Sequence, residues 1–257
     1  MDPLVAVTVA LAVLMGLTMG MLGGGGSILT VPVFVYVLGY AAKPAIAMSL
    51  PVVGTTSLVG ALRHWRAGNV HPRVALLFGA AAMTGAFAGA RFAERVRGPV
   101  QLLLLGAVML AAAASMLRRS AGDTRAPGEV DEPRVRPLTL LVGLGVGFLT
   151  GLVGIGGGFL IVPALVLLAR VPMKQAVGTS LVVIAMNAAS GYAGYAGRVA
   201  VPWGTVAAFT AVAIGGILLG TLLVHHVSAA ALRRGFALFL VLLGALVVWQ
   251  NRGAIRP

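Results

Sequence analysis

The chain has 257 residues, of which 59% are hydrophobic and 10% are charged, whereas a soluble domain carries about 25% charged residues. This composition excludes a soluble enzyme and a disordered chain, and the lack of cysteine excludes a disulfide scaffold and a thiolate metal site. The net charge of +13 would suggest nucleic acid in a soluble protein. In so apolar a chain, we interpret the charge as basic loops against anionic lipid. The alternative is an electrostatic bias toward anions near a pore mouth.

Apolar runs of helical length follow one another in two sets. The first set covers residues 4–22, 27–38, 45–62, 74–90 and 100–117. After a polar stretch with five Arg and four acids, the second set covers residues 138–153, 159–169, 176–195, 201–224 and 235–249. The first run lacks the basic start of a signal peptide, so we expect it to be retained. The runs predict an all-α, multi-pass bundle of membrane helices.

The second set repeats the first at an offset of 131 residues. Glycines coincide at several positions, such as Gly20 with Gly151 and Gly85 with Gly216, and other matches include Pro32 with Pro163, Lys43 with Lys174, Ser49 with Ser180 and Leu50 with Leu181. One duplicated unit explains this correspondence. We therefore predict transmembrane repeat 1 at residues 1–119, a polar linker at 120–137 and transmembrane repeat 2 at 138–257.

Each repeat contains a run of glycines between its first two apolar runs. The first glycine run (residues 23–26) is Gly23, Gly24, Gly25 and Gly26, and the second (residues 154–158) contains Gly154, Gly156, Gly157 and Gly158. Because each glycine inside a helix costs about 1 kcal/mol relative to alanine, the helix is predicted to break there. The following runs are too short to cross about 30 Å of hydrocarbon, so we predict short helices that begin at the glycines.

Interrupted helices at matching positions of two halves indicate a transporter binding site. A helix N-terminus offers free N–H groups and partial positive charge, which favours a small anion as the substrate. Ser27 and the polar groups of the next helix in each repeat are the predicted additional ligands: Ser49, Thr55, Thr56, Thr179, Ser180 and Asn187. The alternative is that the glycines only permit close helix packing and the hydroxyls only join helices.

The acidic residues all lie outside the middle of the apolar runs: Asp2, Glu94, Asp123, Glu129, Asp131 and Glu132. A chain without a mid-membrane carboxylate is poorly suited to cation transport. The histidines lie at run ends beside arginine, where we predict an interfacial role, with proton coupling as the lesser alternative. We find no HExxH motif, paired acids or deep histidine, so we predict no catalytic residue, no metal and no cofactor.

Topology depends on how the glycine runs are used. If each run is the tip of a hairpin, each half crosses five times and the halves are inverted. If each run lies within one crossing, each half crosses four times. The positive-inside rule favours the hairpin mildly, and inverted repeats with a midplane site are a common transporter plan. We therefore predict inverted repeats.

The segments GMLGGGGSILTVP (20–32) and GLVGIGGGFLIVP (151–163), with AVGTSL (176–181) and its weaker echo AIAMSL (45–50), resemble the TauE/SafE (sulfite exporter, TSUP) family. The resemblance covers nearly the whole chain except the linker. It implies secondary transport of sulfur-containing or organic anions, such as sulfite, sulfonates or related carboxylates, across the bacterial inner membrane. Met48 stands where repeat 2 has Thr179, so the identity of the substrate is not carried over.

Two other classes stay open at this point: an anion channel, and a membrane-embedded scaffold or enzyme subunit. The expected partners are a small anionic substrate and the lipid bilayer, without nucleic acid. The sequence does not decide whether the protein forms a homodimer.

Overall fold

The computed structural model describes residues 3–118, 137–154, 158–167, 169–223 and 229–252. Within these ranges the regular structure is helical, without a strand, which confirms the predicted all-α class. The helices are α1 (Pro3–Leu22), α2 (Gly25–Val37), α3 (Ala42–Arg66), α4 (Pro72–Phe92), α5 (Gly98–Arg118), α6 (Pro137–Val153), α7 (Gly158–Leu167), α8 (Met173–Tyr195), α9 (Trp203–Leu223) and α10 (Ala229–Asn251). The predicted linker lies outside the described residues except Pro137, and so do Gly156 and Gly157.

The chain is a multi-pass membrane protein by the length and composition of its helices. Five of the described helical spans are long and apolar enough to cross a membrane: Pro3–Met21, Ala42–Arg66, Pro72–Arg95, Gln175–Tyr195 and Trp203–Leu223. Helix α3 continues through Pro51 without a break, because neighbouring helices and side chains can satisfy the backbone group that proline leaves free.

The first glycine run reverses the chain. Helix α1 ends at Leu22, and Gly23 and Gly24 have φ angles of 67° and 91°, a left-handed conformation that glycine adopts without steric cost. Helix α2 then runs back along α1: Gly26 lies against Thr18, and Thr30 Oγ1 lies 3.4 Å from the sulfur of Met15. The predicted helix break is confirmed, and the glycine run forms the turn of a hairpin.

Helices α1 and α9 pack backbone to backbone, and so do α6 and α4. A Cβ built on Gly20 would lie 2.6 Å from the carbonyl oxygen of Ile217, and Gly151 lies against the carbonyl of Ala86 in the same way. The offset of the predicted repeats relates these two contacts: Gly151 lies 131 residues after Gly20, and Ile217 lies 131 residues after Ala86. The same offset relates Gly16–Ala213 to Gly147–Ala82, Gly216–Val13 to Gly85–Leu144 and Gly220–Leu17 to Gly89–Phe148.

Helices α3 and α8 pack against each other in opposite directions. A Cβ built on Gly54 would lie 3.1 Å from the Cβ of Ala188, and one on Gly60 would lie 3.1 Å from Cδ1 of Leu181. Later residues of α3 therefore meet earlier residues of α8. This antiparallel pair occupies the centre of the fold, where α3 also contacts α9 and α8 also contacts α4.

We expect Gly151→Val to destabilise the protein by about 1–3 kcal/mol, because its side chain would overlap the backbone of α4. Gly145→Val is the matched control, since Gly145 lies on the same helix with nothing within 4 Å of its built Cβ. Thermal unfolding in detergent measures both variants. Equal melting temperatures would contradict this account of the α4–α6 contact.

Candidate functional site

The two glycine runs meet inside the protein. A Cβ built on Gly24 would lie 2.9 Å from the Cα of Gly158, and one built on Gly158 would lie 2.6 Å from the Cα of Gly24. Both residues are buried. Only glycine permits this approach, because a side chain on either residue would occupy the backbone of the other. The turn between α1 and α2 is thus in direct contact with the start of α7.

A serine on each central helix binds the glycine run that belongs to the other predicted repeat. Ser180 Oγ donates to the carbonyl oxygen of Gly23 at 3.0 Å, and Ser49 Oγ donates to that of Gly154 at 2.7 Å. Each hydroxyl also lies within hydrogen-bonding distance of a carbonyl one turn earlier on its own helix. A serine hydroxyl has one proton, and two carbonyls are within its reach, so in this conformation neither serine has a proton left for a ligand.

The first turn of α2 presents backbone donors beside this contact. The N–H groups of Gly23 and Gly24 bond to the carbonyl of Met19, at 3.0 and 3.3 Å. Ser27 Oγ donates to the carbonyl of Gly24 at 2.7 Å. The next two N–H groups, those of Gly25 and Gly26, open the helix, where a backbone N–H has no intrahelical acceptor. They are suited to an anionic ligand.

Two buried polar side chains follow the serines on the same helix faces. Thr56 lies seven residues after Ser49, and Asn187 lies seven residues after Ser180, which is about 10 Å further along each helix. Both side chains are fully buried. Within the described part of the chain, Thr56 Oγ1 and both polar atoms of Asn187 have no hydrogen-bond partner.

Asn187 follows a residue of α8 that touches the first glycine run. It lies one helical turn beyond Ile184, whose side chain contacts Gly24. A buried polar group without a partner costs about 1–3 kcal/mol, so native proteins rarely retain one without a water, an ion or a ligand. Thr56 and Asn187 are therefore the strongest side-chain candidates for a ligand, on the two helices whose serines contact the glycine runs. Ser57, whose buried hydroxyl also lacks a partner among the described residues, lies beside Thr56.

Two predicted ligands lie elsewhere. Thr55 is exposed, and it lines an apolar groove of about 580 Å³ between α3 and α8. Thr179 is buried, but its hydroxyl accepts a hydrogen bond of 2.9 Å from the backbone N–H of His71, in the loop before α4. The structure therefore brings Ser49 and Ser180 to the glycine runs but does not bring Thr55 or Thr179 there.

Sequence reasoning missed Gln101, a buried residue of α5. Its Nε2 donates to the carbonyl oxygens of Leu152 at 3.1 Å and Ala93 at 3.3 Å, so it fixes the end of α6 just before the second glycine run. The hydroxyl of Tyr195 lies 3.4 Å from the same Leu152 carbonyl. The sequence does show Gln101 as a lone glutamine inside an apolar run. Comparison of the repeats does not single it out, because the second repeat has no polar residue at the matching position.

A second polar feature lies at the end of α4. Arg91, Arg95, Arg198 and Glu94 line an open cavity of about 350 Å³. Glu94 pairs with Arg198, and the guanidinium of Arg91 lies 5.1 Å from the ring centre of Phe87. The basic groups here are exposed or half-buried, in contrast to the neutral groups at the glycine runs. Among the described residues, no cluster of three His, Asp or Glu could hold a metal ion.

Comparisons with known proteins agree on one family. The model described as "Sulfite exporter TauE/SafE" matches residues 8–247. A probable membrane transporter protein of Xylella fastidiosa is 35% identical over 249 residues, which is 95% of each chain. The probable membrane transporter protein YdhB of Bacillus subtilis is 27% identical over 185 residues, which is 71% of this chain and 75% of YdhB. No solved structure matches.

Proposed function

The chain belongs to the sulfite exporter TauE/SafE family of membrane transporters, and we propose that it is a secondary transporter that carries small anions across the inner membrane. Its relatives are named membrane transporters rather than enzymes, so the chain is a transporter and not an enzyme subunit. The strongest support for an anion as cargo is the contact between Gly24 and Gly158, together with the buried and unpartnered side chains of Thr56 and Asn187 on the two central helices.

The proposed site attracts an anion with neutral groups alone. The N–H groups at the start of α2 carry partial positive charge, and Thr56 and Asn187 add neutral donors. Burial strengthens these interactions, because the local dielectric constant is lower than in water. A cation would find no carboxylate among these residues. The family resemblance and this chemistry together favour sulfite, a sulfonate or a small organic carboxylate.

The packing directions support inverted repeats. Helices α3 and α8 occupy equivalent positions in the two predicted repeats, yet they run antiparallel. An even number of passes in each repeat would make them parallel, whereas a hairpin at each glycine run makes the number odd. In the proposed arrangement the two glycine runs reach the midplane from opposite sides, as in transporters that alternate access around a central site.

A channel is the second candidate, since broken helices also line channels. Two observations favour a carrier: the residues of the first glycine run are buried, and Gly24 contacts Gly158 directly. Both leave the proposed site closed in this conformation. A carrier of this kind must open to one side at a time.

Uptake into proteoliposomes tests the proposal. Labelled sulfite, sulfoacetate, taurine and sulfate are offered with and without a pH gradient. We expect saturable uptake of at least one of these compounds, with exchange against the same compound loaded inside. Failure of all four compounds to enter would contradict the proposal, and unsaturable flux without exchange would indicate a channel. Native mass spectrometry of the same preparation measures whether the protein is a monomer or a homodimer.

We expect this transport to proceed without sodium, because the site offers no carboxylate to bind it. Replacing sodium with choline on both sides of the vesicle should leave the uptake rate unchanged. A second experiment tests whether histidine couples transport to protons. It uses a variant in which glutamine replaces all four histidines: His64, His71, His225 and His226. Unchanged gradient-driven uptake in that variant would remove the histidine option, whereas a strict sodium requirement would contradict the proposed site.

A further inference from the structure

We propose that Asn187 recognises an O–H group on the substrate, so that the anion selected by this site retains a proton donor while it is bound. The inference rests on the proposed function and concerns the same site. It narrows the substrate class to anions that carry both an oxyanion group and an O–H, such as a monoprotonated oxyacid or a hydroxy acid.

The side-chain amide of Asn187 can both donate and accept hydrogen bonds. The asparagine side chain has two N–H donors and one carbonyl acceptor. Both Nδ2 and Oδ1 of Asn187 are buried without a partner among the residues that the structure describes. A fully deprotonated anion can accept from the N–H groups but has no proton to donate to Oδ1. A ligand that satisfies the whole amide must also donate a proton.

The equivalent residue on α3 does not impose this condition. Thr56 corresponds to Asn187 at the offset of 131, and its hydroxyl is equally buried and unpartnered in the described structure. A hydroxyl can rotate to donate to any anion oxygen. Thr56 therefore serves every small oxyanion, while Asn187 distinguishes those that carry an O–H.

An ordered water is the competing occupant. A water bound to Oδ1 would supply the missing donor in a buried polar site. The site would then bind anions without regard to an O–H group. Ligands of equal charge and similar shape separate the two accounts.

Methylphosphonate and methanesulfonate provide such a pair. At a pH at which both are monoanions, the phosphonate carries one O–H and the sulfonate carries none. Isothermal titration of the purified wild-type protein should show methylphosphonate binding about tenfold more tightly, as expected for one hydrogen bond to a buried polar group. A second pair, glycolate and propionate, tests whether an alcohol hydroxyl replaces the acid proton.

Two isosteric substitutions locate the effect. Asn187→Leu should bind both methyl ligands with equal affinity, whereas Thr56→Val should weaken both by a similar factor and keep the preference. Equal binding of the pair by the wild type, or a preference that survives in Asn187→Leu, would overturn the inference. The wild-type comparison is decisive even if the leucine variant does not fold. If no anion, sulfite included, binds to the wild type, the proposed function itself fails.

Discussion

Gly24→Ala is expected to weaken anion binding at least about 100-fold and to abolish transport. Gly24 has a φ angle of 91°, where a side chain costs about 1–2 kcal/mol. Its new Cβ would also lie 2.9 Å from the Cα of Gly158 and would press on Ile184. The two glycine runs must then separate, which moves the N–H groups of α2 away from the ligand. Loss of two hydrogen bonds to a charged group, at about 1.5–3 kcal/mol each, accounts for this magnitude.

Gly39→Ala is the matched control for backbone strain. Gly39 has a φ angle of 73°, but nothing lies within 4 Å of its built Cβ. The two substitutions share the cost of a left-handed alanine, and they differ in the contact with the other glycine run. We expect Gly39→Ala to bind anions normally with a modest loss of melting temperature. Similar affinities in the two variants would show that the contact between glycine runs is irrelevant to binding.

Ser180→Ala is expected to weaken anion binding about tenfold without unfolding the protein. The substitution removes the hydrogen bond that holds the carbonyl of Gly23, so the first glycine run loses its fixed geometry. The magnitude corresponds to a loss of about 1.4 kcal/mol, which is typical of one hydrogen bond. Isothermal titration and thermal unfolding together measure the effect.

Ser190→Ala is the control for that experiment. Ser190 lies on the same helix and donates to the carbonyl of Met83 at 2.7 Å, away from the glycine runs. If serines on α8 only join helices, both variants should lose melting temperature and keep their affinity. A loss of affinity confined to Ser180→Ala supports the binding site. Ser49→Ala should repeat the result from the other central helix, through Gly154.

The sequence predicts the helices and their interruptions well because both depend on local chemistry. Each of the ten apolar runs coincides with a helix, with ends that differ by up to six residues. The helix break at the first glycine run follows from the cost of glycine in a helix and from the freedom of Gly23 and Gly24 to adopt positive φ. No knowledge of tertiary contacts is needed for either prediction.

The candidate site was only partly predictable, because it depends on which helix face points inward. Thr55 and Thr56 are neighbours in sequence, yet one is exposed and the other is buried, since successive residues lie about 100° apart around a helix. The run of hydroxyls in α3 gives no indication of that choice. The contact of Ser180 with Gly23 joins residues that are 157 positions apart. The sequence shows that each of these residues has an identical residue in the other repeat, but it does not show that the two are in contact.

The position of a bound anion tests the central claim most directly. Selenite is a heavier analogue of sulfite, and its selenium gives an anomalous diffraction signal in crystals of the full chain. The account predicts a selenium peak beside the contact of Gly24 with Gly158, within reach of Thr56 and Asn187. A peak in the cavity of Arg91, Arg95 and Arg198, with none at the glycine runs, would contradict it.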